Sequence, residues 1–339
     1  YYVTITDLNG CAATKLNVVN VDPLPVASFA VSPTCLGNST MFTNNSTISS
    51  GTIANSLWSF GDSFSSSSLN PSHSYSGAGS YSVTLTITSA AGCTSTTNQN
   101  VVINPLPTAD FSTTTVCLGS SNQFTDNSTV SSGFISEWIW NFGDGTTGTS
   151  ASTSHAYSTA GNYTATLIAV TNNNCSDTIS HQVVVNGLPV SAFTAGNGCA
   201  ESLINFTNTS NSAYGSITTY AWNFNNGNTS TLTDPSIQFT NPGTYNVSLI
   251  ATTVSGCVDT SKQAITIYPV PVAAINVTSA CTNSNIGLVN NSTITSGTIQ
   301  NHYWTFGDNT TSNAITPSHT YASAGTYTVN LVVTSDRGC

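Results

Sequence analysis

Three aspartates, three histidines and nine cysteines recur at matched positions, and these are the residue types that could do chemistry. Asp62, Asp144 and Asp308 close a recurring Trp-x-Phe-Gly-Asp, and His73, His155 and His319 open a recurring His-x-Tyr. A turn carboxylate could ligate calcium, but that ion takes about six to eight oxygens, several of them from carboxylates. The whole chain holds 13 acidic residues, and they do not cluster. A third copy of the motif carries Asn226 in place of the aspartate, and asparagine also builds Asx turns without the charge. A histidine acting as general base needs a nucleophile or carboxylate held beside it. The third copy has Ile237 at the histidine position, so the role tolerates an apolar side chain. Both sets are therefore expected to be structural. No catalytic residue, metal ligand or cofactor is assigned, and no enzyme is expected in this chain.

The cysteines lie on a ruler of 82 residues: Cys35, Cys117, Cys199 and Cys281 form one series, and Cys11, Cys93, Cys175, Cys257 and Cys339 form another. Trp58, Trp140, Trp222 and Trp304 keep the same step. A fixed period without insertion or deletion means one folding unit copied in tandem. No CxxC occurs, so the cysteines read as disulfides of an oxidising compartment rather than zinc ligands.

Composition excludes several functions. Only 5% of residues are charged, and the basic ones are Lys15, Lys262 and Arg337. Phosphate neutralisation needs clustered Lys and Arg, so neither nucleic acid nor an anionic membrane surface is a partner. No apolar run reaches about 18 residues, the length of a membrane span. Hydrophobic residues make up 38% and alternate regularly, which is not a disordered composition. Polarity comes from Ser, Thr and Asn, so the surface should be insensitive to salt and pH and poor in tryptic sites.

The chain reads as residues 1–22, the last strands of a preceding repeat, then repeats at 23–104, 105–186, 187–268 and 269–339. The last repeat is expected to stop before its final strand, and the chain to be a window on a longer protein. Each repeat opens on a stiff couplet, Pro23-Leu24-Pro25, Pro105-Leu106-Pro107, Gly187-Leu188-Pro189 or Pro269-Val270-Pro271. A first strand follows over 27–30, then a turn at Cys35-Leu36-Gly37 and a second strand carrying Phe42, Phe124, Phe206 or Leu288. Trp58 and Phe60 point to one face of the next strand, as do Trp140 and Phe142, Trp222 and Phe224, and Trp304 and Phe306. A clean alternating strand then buries Tyr81, Val83, Leu85 and Ile87, and in the fourth repeat Tyr327, Val329, Leu331 and Val333. Tyr163 and Tyr245 hold the equivalent core position in the second and third repeats. A turn ending in Gly92-Cys93 leads to a last strand over 100–103. About seven short strands per repeat, and no helical period, predict an all-β fold of tandem immunoglobulin-like sandwiches in a linear rod.

Trp-x-Phe-Gly-Asp, then His-x-Tyr, then Gly-x-Tyr-x-Val-x-Leu, after a Pro-Leu-Pro or Pro-Val-Pro, resembles the PKD (polycystic kidney disease) domain over residues 24–339. The paired cysteines resemble the variant found in secreted proteins of Bacteroidetes. The resemblance implies extracellular spacer and adhesion roles, in surface adhesins and as accessory modules of secreted hydrolases. Trp138 stands at a variable position, where Ser56, Tyr220 and His302 are its equivalents, and is a candidate surface contact. Asp177-Thr178-Ile179 resembles an O-glycosylation pattern of the same bacteria.

Two disulfide connectivities are open. Within repeats the pairs would be Cys35–Cys93, Cys117–Cys175, Cys199–Cys257 and Cys281–Cys339. Strand order in a sandwich puts the first turn and the last hairpin turn at opposite ends, roughly 25 Å apart at the rise of a strand, while a disulfide needs Cα atoms within about 7 Å. The preferred pairs therefore cross the repeat junctions: Cys35–Cys175, Cys117–Cys257 and Cys199–Cys339. Cys11, Cys93 and Cys281 would pair outside this window. The expected function is a structural segment of a secreted, surface-attached filament or adhesin stalk. The alternatives are a module that binds glycans or proteins, and a non-catalytic spacer of a secreted hydrolase or protease. Neighbouring repeats are the first partners; self-assembly into fibres and surface glycans or proteins are the further candidates.

Overall fold

The hydroxyl-apolar alternation of residues 81–88 becomes an 11-residue antiparallel strand in the computed structural model, which describes residues 1–339. Each repeat is built around that strand. In residues 23–104 the elements after an N-terminal hairpin of β1 (Tyr2–Thr6) and β2 (Ala12–Leu16) are β3 (Phe29–Val31), β4 (Thr34–Cys35), β5 (Thr40–Asn44), β6 (Ile53–Ser59), β7 (Ser65–Ser66), β8 (Ser72–His73), β9 (Gly79–Ser89) and β10 (Thr94–Asn104). Eight strands thus stand where about seven were expected. Among them β4 is a two-residue strand formed where the turn at Cys35 was placed, and β7 and β8 are short strands that the sequence patterns do not mark.

The strands make two sheets, β3-β5-β8 and β4-β10-β9-β6-β7. The chain changes sheet between β3 and β4, and β4 pairs parallel with the end of β10, Thr34 beside Ile103 and Cys35 beside Asn104. The last strand runs from Thr94 rather than from residue 100, because its outward Ser, Thr, Asn and Gln side chains hydrogen-bond in water as readily as they pair across the sheet. Residues 105–186 and 187–268 repeat the same two sheets. The hairpin β1–β2 sets Thr6 against Ala12 and Val3 against Lys15, the register of Thr88–Thr94 and Leu85–Thr97 one repeat later. The chain forms two compact units, Tyr1–Thr114 with Ser121–Ala156 and Asn162–Val183, and Thr115–Ser120 with Tyr157–Gly161 and Val184–Cys339.

The core of each sandwich is aromatic. Trp58, Trp140, Trp222 and Trp304 are fully buried, beside Phe60, Phe142, Phe224 and Phe306. A buried indole N–H needs an acceptor. Each one donates to a backbone carbonyl ten residues on: Ser68, Ser150, Leu232 and Ala314, at 2.8–2.9 Å. Phe29, Phe111 and Phe193 meet the first three indoles edge-on, with centroids 5.0–5.2 Å apart.

Two expectations about the core are corrected. Tyr81, Tyr163, Tyr245 and Tyr327 are half-buried rather than enclosed. The phenols of Tyr81, Tyr245 and Tyr327 donate to the carbonyls of Gly77, Asn241 and Ser323, four residues back, which holds each ring at the rim. In the fourth repeat only Val333 of the four alternating residues is buried. Tyr327, Val329 and Leu331 are half-buried, and the strand shortens to Asn330–Ser335. In the other repeats the neighbouring strand pairs along its whole length and brings Val101 and Ile103, or their equivalents, over the same face. No strand of residues 1–339 does this for the fourth repeat, and its sheet has three strands.

One junction explains a departure in the couplets. Gly187 replaces the proline of the other repeats, and a Cβ there would stand 2.0 Å from the ring of Tyr214. Ser50, Ser132 and Ser296 occupy the tyrosine's position elsewhere. The Tyr214 ring thus lies where a side chain at residue 187 would begin.

Candidate functional site

The residues that the fold brings together across the longest stretch of chain are cysteines. The disulfides are Cys35–Cys175, Cys117–Cys257 and Cys199–Cys339, each spanning 140 residues with Cα atoms 5.6 Å apart. Of the two connectivities open in the sequence, the structure contains the one that crosses repeat junctions and none of the pairs within a repeat. Cys11 and Cys281 are free and exposed, and Cys93 is free and half-buried.

Local structure sets both ends of each staple. Cys35 sits on β4, and the Leu36 amide donates to the Asn104 carbonyl, so the cysteine is held beside the last residue before the Pro105 linker. Its partner Cys175 ends a tight turn in which the Thr171 amide donates to the Cys175 carbonyl and the Cys175 amide donates to the Thr171 hydroxyl. The turn needs a left-handed residue just before the cysteine, supplied by Asn174 (φ 59°) here and by Gly92, Gly256 and Gly338 in the other copies. Cys175 and Cys257 are each 1% exposed. Beside Cys339 the Arg337 guanidinium lies 5.4 Å above the Tyr268 ring.

The recurring aspartates and histidines also meet. Asp62 and His73 are 2.6 Å apart, Asp144 and His155 2.7 Å, and Asp308 and His319 2.8 Å. Each imidazole stacks on the phenylalanine of the tryptophan motif: Phe60, Phe142 or Phe306, with centroids 4.2–4.3 Å apart. The second carboxylate oxygen closes an Asx turn, accepting from the amide of Phe64, Thr146 or Thr310. Asn226 makes the same turn through Asn228, so the third repeat keeps the turn and loses the pair. The glycine before the aspartate is left-handed in the other repeats, and the third repeat uses Asn225 there at φ 58°. Asparagine is among the few side chains that enter this region.

Burial opposes the charge on Asp62 and Asp144. The hydrogen bonds from His73 and the Phe64 amide, and from Thr146 and His155, outweigh it and hold both carboxyls below the ordinary value. On Asp308 the Thr310 hydroxyl is the leading cause of the same lowering. Burial, and then the Asp62 charge, push the Tyr75 phenol up to about 12, so it stays a donor to the Phe60 carbonyl. In the second repeat Nε2 of His155 faces both Asp144 (2.7 Å) and the Thr146 hydroxyl (3.3 Å).

A PKD domain model matches residues 20–103, 104–185, 186–267 and 268–339. The chain belongs to the PKD domain family. Over 175 residues it is 31% identical to the pre-pro-metalloprotease PrtV of Vibrio cholerae, a stretch that is 51% of this chain and 17% of that protein. Over 42 residues it is 48% identical to the collagenase ColA of Bacillus cereus, 12% of this chain and 4% of that protein. The solved PKD1 domain of PrtV is 41% identical over 24% of this chain and 96% of that domain, with a TM-score of 0.23. The matched stretches are small parts of the full-length PrtV and ColA. PKD domains are non-catalytic modules, although the relatives that carry them here are proteases.

Of the two remaining candidates, Trp138 and Asp177 make hydrogen bonds within their repeat, while Thr178 of the Asp177-Thr178-Ile179 pattern is exposed. Trp138 is half-buried, and its ring nitrogen donates to Asp126 at 2.6 Å, as the Asn44 amide binds the Ser56 hydroxyl one repeat earlier. The Asp177 carboxylate accepts the Ala109 amide, and Asp259 accepts that of Ser191, so each ties its last strand to the start of its repeat. Sequence reasoning missed the Asp–His pairing. The signal was present in the third repeat, which loses both residues together.

Proposed function

We propose that this chain is a structural segment of a secreted, cell-surface filament or adhesin stalk, in which disulfide-stapled PKD repeats give stiff extension and mechanical strength. The carrying observation is that every disulfide joins one repeat to the next. Linked domains ordinarily move relative to one another, and a covalent bridge beside a proline-containing linker opposes that motion. Disulfides persist in oxidising compartments, which supports an extracellular location, and the cysteine-bearing form fits the Bacteroidetes-like secreted variant. On this reading the chain itself performs no catalysis. Small-angle scattering of the oxidised and reduced chain tests the proposal. The oxidised form should keep one end-to-end length, and reduction should broaden it. Equal, broad distributions in both states would refute stiffness as the role.

A second reading draws on the relatives. Matches to a metalloprotease and a collagenase favour a non-catalytic spacer in a secreted hydrolase or protease. Sequencing the complete gene separates the two, since the spacer reading requires a hydrolase domain in the same polypeptide.

A further inference from the structure

Whether a chain lengthens under tension is decided by its shortest covalent path, and the disulfides redraw that path. Pulled from Tyr1 and Cys339, tension runs along the backbone to Cys35, crosses to Cys175, follows the backbone to Cys199 and crosses to Cys339. Residues 36–174 and 200–338 are bypassed. The only backbone loaded between the first and last staples is 175–199. Most of that segment is already strand: Ser176–Asn186, Phe193–Ala195 and Gly198–Cys199. A strand rises about 3.2–3.4 Å per residue, close to the roughly 3.3–3.6 Å of a fully extended chain, so it has almost no slack.

We infer that the overlapping staples make the stapled part of this chain, from Cys35 to Cys339, a nearly inextensible tether, in which repeats can unfold under load without that part growing longer. Only the residues before it, the hairpin β1–β2 among them, can release chain. The inference rests on the structural reading above and adds how force is routed. The middle staple, Cys117–Cys257, joins the two bypassed loops. It lies off the shortest path while the outer two are intact and becomes part of it when either is lost. The staples are therefore redundant in strength and unequal in length control.

The geometry gives numbers that differ by variant. With all three staples the limit is roughly 58 backbone steps, about 200 Å. Without Cys117–Cys257 it is unchanged. Without either outer staple the shortest route runs through the middle one over roughly 174 steps, about 600 Å. Fully reduced, the chain reaches about 1,150 Å.

Single-molecule pulling on the whole chain through terminal handles, with Cys11, Cys93 and Cys281 alkylated, reads these lengths directly. The oxidised protein and Cys257→Ser should share one limit. Cys175→Ser and Cys199→Ser should each extend about threefold further, and reduced protein nearly sixfold. An oxidised chain that reaches the reduced length would overturn the inference, as would a Cys257→Ser limit matching the outer variants. Once the remaining staples have formed, the limiting length does not depend on the repeats staying folded. A short limit combined with broad scattering in the resting state would sink the stiffness of the structural reading while leaving the tether intact.

Discussion

The Asp62 carboxylate meets His73 Nε2 at 2.6 Å while the imidazole lies flat on Phe60, with planes 6° apart. Carboxylate, imidazole and phenyl ring thus pin the turn after the tryptophan strand to β8 on the opposite sheet. The same construction recurs in the second and fourth repeats, and the third replaces it with Asn226 and Ile237.

This pairing sets a pH dependence. Asp62, Asp144 and Asp308 have carboxyls held below their unfolded value. Between the folded and unfolded pKa values the unfolded chain binds more protons, so stability rises with pH across that window. The contribution is complete above the unfolded value of about 4 and is lost as pH falls through the folded one. Urea unfolding at stepped pH should show stability declining below about pH 4. Asp62→Asn, Asp144→Asn and Asp308→Asn together should flatten that decline. An unchanged slope in the triple variant would show that the pairs do not couple to folding.

The staples are open to a direct chemical map, because trypsin has three sites here, Lys15, Lys262 and Arg337. Without reductant, the dipeptide Gly338-Cys339 should stay attached to fragment 16–262 through Cys199. Pairing within the repeat would leave it on fragment 263–337 through Cys281, and mass spectrometry separates the two. Cys175→Ser should lower the unfolding free energy by about 2–5 kcal/mol, read as an earlier urea midpoint.

Tyr214 and Gly187 form a pair whose members should be exchangeable only together. Gly187→Ala puts a Cβ into the Tyr214 ring and should cost about 1–3 kcal/mol as overpacking. Tyr214→Ser restores the small residue that the other repeats carry at this position. In the double variant most of the alanine penalty should vanish, and a double-mutant cycle on thermal unfolding measures the coupling. Additive effects would mean that the ring moves aside freely.

The order of elements was legible because strand chemistry is local. Alternation over 81–88, Gly-Asp turns and couplets at a fixed step mark strands, turns and repeat edges without reference to distant residues. The tryptophans could be assigned to the core because a large aromatic on a central strand has only one interior to enter. By itself, then, the sequence determined the repeat, the β-sandwich and the aromatic core. Tertiary structure decided what depends on the meeting of separated segments. Asp62 lies in the turn after β6 and His73 on β8 of the other sheet, so their contact is a property of how two sheets face each other. Tyr81 and its equivalents alternate like core residues, yet they sit at the rim, where each phenol reaches a carbonyl. Strand order left two cysteine pairings open and favoured one. The parallel seating of β4 against the end of β10 places Cys35 at the junction, because a disulfide forms only where two Cα atoms come within a few ångströms, a condition on space and not on spacing.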